Sequence, residues 1–158
     1  MSEESKTIIS RFYRDLFGSG RLETADEIMA DRVLGHPLWA NPVDAVTGVP
    51  GPAATEDTPQ DIKDSVAMWH EMMPDLRATP EEMLVDGDRV IALYTISGTH
   101  YSGQAVTIRG IDMFRLSDGK IIEYWQSWDR LGMYQQLGAV PATPQLLPKI
   151  RRDLAGRG

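Results

Sequence analysis

The stretch from Arg77 to Asp129 constrains this chain more than any other. Four runs of strand character, 77–85, 89–100, 104–116 and 120–129, follow one another with only Asp86-Gly87-Asp88, Tyr101-Ser102-Gly103 and Ser117-Asp118-Gly119 between them. Connections so short and turn-like join antiparallel neighbours, because a parallel pair needs a crossover of about a dozen residues. The pattern therefore predicts an antiparallel meander.

Helical spacing comes earlier in the chain. Ile8, Ile9, Phe12, Leu16 and Phe17 predict a helix over 5–17, stopped by Gly18-Ser19-Gly20. A second short helix is expected over 22–30 and a brief strand over 32–36. Thr58-Pro59-Gln60-Asp61 reads as a helix start, with Thr58 as N-cap, Pro59 in the first turn and Asp61 near the positive helix end. That helix should run to about Met73 and stop before Pro74. Between these parts, residues 37–57 carry prolines at 37, 42, 50 and 52 and read as a long loop or lid.

Helices and strands are thus segregated, which predicts an α+β fold with helices on one sheet face. Residues 1–138 make one domain, and 139–158, with Pro141, Pro144, Pro148, Arg151, Arg152 and Arg157, form a C-terminal tail or arm. A chain of 158 residues is long enough to bury a substantial core. Its formal charge of −7 argues against nucleic acid or an anionic membrane as partner. With 0 cysteines, disulfides, thiolate nucleophiles and Cys-based metal sites are excluded. The polar, acidic start Met1-Ser2-Glu3-Glu4 is unlike a signal peptide, and no apolar run approaches membrane-spanning length, so a cytoplasmic location is expected.

Side chains alternate across strands, so parity sorts the sheet. A three-residue turn at 117–119 sets Leu116 opposite Ile122, Phe114 opposite Tyr124, Asp112 opposite Gln126 and Gly110 opposite Trp128. The next hairpin then places Ala92 beside Asp112 and Tyr94 beside Gly110. One face carries Val90, Ala92, Tyr94, Ile96, Asp112, Phe114, Ile122, Tyr124, Gln126 and Trp128. The other carries Ile91, Leu93, Ile111, Met113 and Trp125 with Arg109, Arg115 and Glu123. Apolar residues on both faces predict that a second subunit covers the outer one, giving a homodimer.

Element order and local sequences together resemble the SnoaL-like polyketide (ester) cyclase family, within the cone-shaped α+β superfamily named after nuclear transport factor two. The resemblance covers roughly residues 5–138. It rests on His36-Pro37, Met73-Pro74-Asp75-Leu76-Arg77, Gly87-Asp88-Arg89-Val90, Gly98-Thr99-His100, the run Arg109 to Leu116, Asp118-Gly119-Lys120-Ile121 and Gln135-Gln136-Leu137-Gly138. It implies a cystatin-like half-barrel, its curved antiparallel sheet packed on N-terminal helices, with a deep apolar pocket, dimers and cofactor-free chemistry on an apolar carbonyl compound. The characterised cyclases close a ring by intramolecular aldol condensation. One general base in a dry pocket removes a proton flanked by carbonyls, and a donor holds the enolate oxygen.

The family's acid/base is an aspartate on the last strand, with a histidine on the neighbouring strand. The matching positions here are Gln126 and Asp112, so the carboxylate stands across the strand pair from its expected place. A carboxylate on an apolar strand face is costly unless paired, solvated or used. Asp112 is therefore the expected proton-transfer group, Gln126 the orienting amide or oxyanion donor, and His36 a substrate contact at the pocket rim. Tyr94, Phe114, Tyr124, Trp128, Trp39 and Tyr13 are the expected pocket wall. Each has a plainer reading: Asp112 paired with Arg109 or Arg115, His36 capping a strand end, the aromatics as core. His70 and His100 read as structural, and the three histidines lack metal-ligand spacing. Two other functions compete, a non-catalytic binding or dimerisation module and a limonene-epoxide-hydrolase-like enzyme. The second needs Arg109, Asp112 and Asp129 together, and parity sets Asp112 on the face opposite the other two.

Overall fold

The structure, a computed structural model, describes residues 2–38 and 54–155. The predicted meander forms as β3 (Arg77–Asp86), β4 (Arg89–Thr99), β5 (Ala105–Ser117) and β6 (Lys120–Trp128), each antiparallel to the next. The sheet is extended beyond β6 by β1 (Met29–Pro37), which runs parallel to β6, and by the edge strand β2 (Thr55–Asp57). The strand order β2-β1-β6-β5-β4-β3 makes a curved, unclosed mixed sheet. Pro80 sits in the opposite edge strand, beside a register shift between Pro80 and Glu82, where its missing N–H disturbs no central ladder.

The predicted register holds at Phe114–Tyr124, Asp112–Gln126, Gly110–Trp128, Ala92–Asp112 and Tyr94–Gly110. It fails at the hairpin end, where Leu116 pairs with Ile121 rather than Ile122. The turn has two central residues, Asp118 and Gly119, with φ of 50° and 71°, the twist that suits a two-residue hairpin. A bulge after Arg115 takes up the difference. Ile121 is consequently the fully buried residue, and Ile122 is only half-buried.

Helices cover one face. α1 (Ser2–Arg11) continues into a π-helical turn, Phe12–Gly18, whose Ser19 amide donates to the Arg14 carbonyl five residues back. The wider winding turns Phe12, Tyr13, Leu16 and Phe17 all inward. After α2 (Thr24–Ile28) and β1 comes α3 (Pro59–Met72). Thr58 caps it as the sequence predicts, in a reciprocal box with Asp61: the Asp61 amide donates to Thr58 Oγ1 and the Thr58 amide to the Asp61 carboxylate. The core between the layers includes Ile9, Leu16, Val33, Val66, Val90, Phe114 and Ile121. Two helices follow the sheet, α4 (Arg130–Gln136) and α5 (Thr143–Ala155), so the tail read as an arm is largely helical. Among the described residues, no helix is long and apolar enough to cross a membrane.

One glycine fixes the site geometry. Gly110 lies across from Tyr94, and a Cβ there would stand 2.5 Å from Tyr94 Cζ and Oη. Its absence lets the Tyr94 ring lie flat over β5, 4.7 Å from the stacked ring of Tyr13. Gly110→Ala is expected to push that ring away and to cost about 1–3 kcal/mol of stability. Urea denaturation checks this, and an unchanged midpoint would contradict the close approach.

Candidate functional site

A cavity of about 510 Å³ opens between α3, the helix-facing side of the sheet and α4. α3 contributes Ile62, Met68, Trp69 and Met72, and β4 and β5 contribute Tyr94, Ile96 and Ile108. β6 adds Tyr124, Gln126 and Trp128, with Trp69 and Trp128 edge to face at 5.5 Å. Arg130, over the Trp128 ring at 5.1 Å, and Met133 close one side, and Thr55 and Asp57 of β2 another. An apolar chamber with a few convergent polar groups is the usual form of a small-molecule site.

Asp112 lies behind this wall rather than on it. Only 1 % exposed, it accepts a hydrogen bond at Oδ2 from the Tyr13 hydroxyl, 2.8 Å, and one at Oδ1 from the Ser127 backbone amide, 3.3 Å. The Tyr94 hydroxyl faces the same carboxylate and favours its charged form. Burial outweighs these donors and pushes the Asp112 carboxyl up to about 7. The neighbouring phenols resist ionisation for related reasons: burial first, then the Asp112 charge, raise both Tyr13 and Tyr94. Near neutral pH the cluster therefore exchanges its proton at Asp112, with Tyr94 between that group and the cavity.

The other residues singled out from sequence divide. Tyr94, Tyr124, Trp128 and Gln126 line the cavity. Tyr13 and Phe114 are buried behind it, Phe114 edge-on to Phe12 at 5.0 Å. Trp39, and most of the 37–57 segment read as a lid, lie outside the described residues. His36 does not reach the cavity. It pairs in register with Trp125, stacks on that ring at 4.8 Å and meets Glu123 at 2.8 Å, so strand parity carries it to the outer face. The hydrolase constellation is not assembled either. Arg109 pairs with Glu81 on the outer face, and Asp129 accepts from the Gly132 amide as the cap of α4. Among the described residues, no cluster of three His, Asp or Glu side chains suits a metal ion.

Sequence reasoning missed Asp57. It lines the cavity, accepts a hydrogen bond from the Tyr124 hydroxyl and takes another from Thr55 Oγ1 at 3.1 Å. Burial, and then the bond to Asp57, raise the Tyr124 phenol. Thr55-Glu56-Asp57 has no apolar alternation, so its strand arises only through pairing with β1.

An α+β cone with an apolar cavity between its sheet and helices is the architecture of the nuclear-transport-factor-two-like superfamily. Within it, the chain matches the SnoaL-like polyketide cyclase family over residues 7–137 and belongs to that family. It is similar in structure to wild-type IdmH, a proposed polyketide cyclase from Streptomyces antibioticus, with 27% identity over 85% of this chain and 98% of that one, TM-score 0.70. A proposed polyketide cyclase from Bacillus cereus is 26% identical, covering 87% of this chain and 82% of its own, TM-score 0.70. AclR, a proposed hydroxylase from Streptomyces galilaeus, shares the fold at 18% identity, covering 98% and 94%, TM-score 0.71. No curated protein matches the chain in sequence.

The raised Asp112 carboxyl has a consequence for stability. The folded state holds this proton from the ordinary aspartate range up to about pH 7, and the unfolded state releases it earlier. The contribution to stability is complete at acid pH and lost as pH rises through 7. Asp112→Asn, neutral throughout, should escape that loss. The melting temperature of the variant relative to wild type should therefore rise between pH 5 and pH 9, which thermal denaturation across that range checks.

Proposed function

We propose that this protein is an enzyme that moves protons on an apolar, enolisable carbonyl compound held in the cavity, without a cofactor. The observation that carries the reading is the buried carboxyl of Asp112 facing the cavity-wall phenol of Tyr94. A carbonyl oxygen that becomes an enol needs a proton delivered in a dry environment. Tyr94 gives its proton to that oxygen and takes the proton of neutral Asp112 in the same movement. The Gln126 amide, on the same wall, holds the oxygen by a hydrogen bond as its charge grows. Membership of the cyclase family supports this reaction class and leaves ring closure, isomerisation and dehydration as versions of it.

The test is deuterium uptake from D₂O into the carbon beside the carbonyl of small apolar ketones such as 2-tetralone, followed by NMR. Wild type should accelerate uptake, with the rate falling above pH 7 as Asp112 loses its proton. Asp112→Asn should lower the rate about 100-fold, the low end for a lost acid/base group, and remove that pH dependence. Binding without acceleration would favour a non-catalytic ligand-binding module, a reading that Gln126 at the family's carboxylate position also supports.

The outer sheet face supports a homodimer as the working form. Leu84, Ile91 and Ile111 are exposed there, at 61%, 43% and 55%. Large apolar groups grouped on one face suit association with a second copy. Light scattering after gel filtration should give twice the chain mass, reduced to a monomer by Ile111→Lys. A wild-type monomer would remove this part of the proposal.

A further inference from the structure

The reaction above needs a second group. Delivering a proton to oxygen accounts for one movement, and another base must take the hydrogen from carbon. Asp112 does not line the cavity, and Gln126 cannot accept a proton usefully. Two carboxylates do line it among the described residues, Asp57 and Asp61. Asp61 is engaged in capping α3: it accepts from Thr58 Oγ1 at 2.6 Å and from the Thr58 amide at 2.8 Å. These bonds hold its carboxyl below the ordinary range and make it a poor base.

Asp57 likewise takes both of its donors, Thr55 Oγ1 and the Tyr124 hydroxyl, at one oxygen, Oδ2, but it caps no helix, and one of its donors is a cavity-wall phenol. The arrangement is built into the sheet. Asp57 pairs with Val33, and Tyr124 pairs with Gly35 two residues along β1. A Cβ at Gly35 would stand 2.5 Å from Tyr124 Oη and 2.6 Å from Asp57 Oδ2. The glycine is what allows phenol and carboxylate to meet over β1. The same device serves Tyr94, whose ring lies over Gly110 towards Asp112. Two of the tyrosines on the cavity wall are thus each laid across a glycine and directed at an aspartate. In one pair the aspartate is behind the wall, and in the other it is on it.

We propose that Asp57, oriented by Tyr124 across Gly35, is the general base of the cavity, taking the hydrogen from the carbon beside the carbonyl of the bound compound. The C–H bond breaks, its proton goes to Asp57 Oδ1, and its electron pair moves into the new C–C double bond as the carbonyl oxygen receives its proton from Tyr94. Charge is conserved: Asp57 becomes neutral as the Asp112–Tyr94 pair becomes the anion. This inference rests on the cavity being a site of carbonyl proton transfer, as proposed above, and adds a residue to it that touches the substrate.

The experiment uses two probes of matched shape on the full chain. 2-Tetralone reports proton removal by deuterium uptake, and 2-naphthol, which presents an enol-like hydroxyl, is compared in binding with 2-methoxynaphthalene, which has none to donate. Wild type should bind 2-naphthol at least tenfold more tightly than the ether. Asp57→Asn should lower deuterium uptake about 100-fold, with 2-tetralone affinity kept within threefold and the preference for 2-naphthol, whose hydroxyl stands where the enol oxygen meets Tyr94, retained. Tyr124→Phe and Gly35→Ala, which disturb the orientation of Asp57 and leave its carboxylate, should lower uptake about tenfold, so the result does not hang on one variant's folding. Undiminished uptake in folded Asp57→Asn, with wild type active, would overturn this inference and leave the role of Asp112 standing. A wild type that neither exchanges 2-tetralone nor prefers 2-naphthol would overturn both.

Discussion

Placing the Asp112 carboxylate under the sheet's helix-facing side is the demand that the surrounding structure meets. A buried carboxylate costs several kcal/mol unless donors surround it or it keeps its proton. Here the donors come from distant parts of the chain: Tyr13 from the N-terminal π turn and the Ser127 amide from the adjoining strand. The π turn has a structural logic in this light, since it is the widened winding that buries Tyr13 beside Phe12 rather than leaving it at the helix flank. Wide turns of this kind are common where a helix serves a site. Gly110 completes the arrangement by admitting the Tyr94 ring, which covers the carboxylate from the cavity side.

Much of this was legible in the sequence, and the reasons differ by residue. The meander and most of its register followed from turn chemistry and the two-residue period of strands, which is why the Asp112–Gln126 and Tyr94–Gly110 pairs were readable. The slip at Leu116 came from counting Ser117 into the turn; a bulge absorbs one residue without leaving any mark in the apolar pattern. His36 was assigned to the cavity by family position, whereas its partnership with Trp125 is set by the parallel pairing of β1 with β6, a contact between segments far apart in the chain. Asp57 was invisible for the same kind of reason. A three-residue polar edge strand has no periodicity, and its place on the cavity wall depends on pairing to β1 and on the missing Cβ of Gly35.

In the proposed reaction, the tyrosines of this site have their task because carboxylate and amide stand on opposite strands of the β5–β6 pair. The resemblance implies that the cyclases' acid/base aspartate matches Gln126, which here lines the cavity. Moving the carboxylate to Asp112 sets it behind the wall, where burial raises its affinity for a proton but removes it from contact. A phenol restores the connection because a hydroxyl both donates and accepts, and so passes a proton without carrying net charge. Tyr94 meets that requirement, its ionisation held off by the burial that holds the proton on Asp112.

The same reasoning separates the two aspartates by task. A group that gives a proton to a carbonyl oxygen near neutral pH benefits from a raised affinity for that proton, and burial supplies it. A group that takes a proton from carbon must be charged and in contact, which favours a carboxylate at the cavity edge with hydrogen bonds on one oxygen only. Asp112 has the first environment, and Asp57 stands on the cavity wall with the Tyr124 hydroxyl on its Oδ2. Tyr124, on the same wall, feels the charge of both carboxylates, Asp57 before Asp112. In the proposed reaction the negative charge would pass from Asp57 to the Asp112–Tyr94 pair, so its total along the wall that holds Tyr94 and Tyr124 would stay the same.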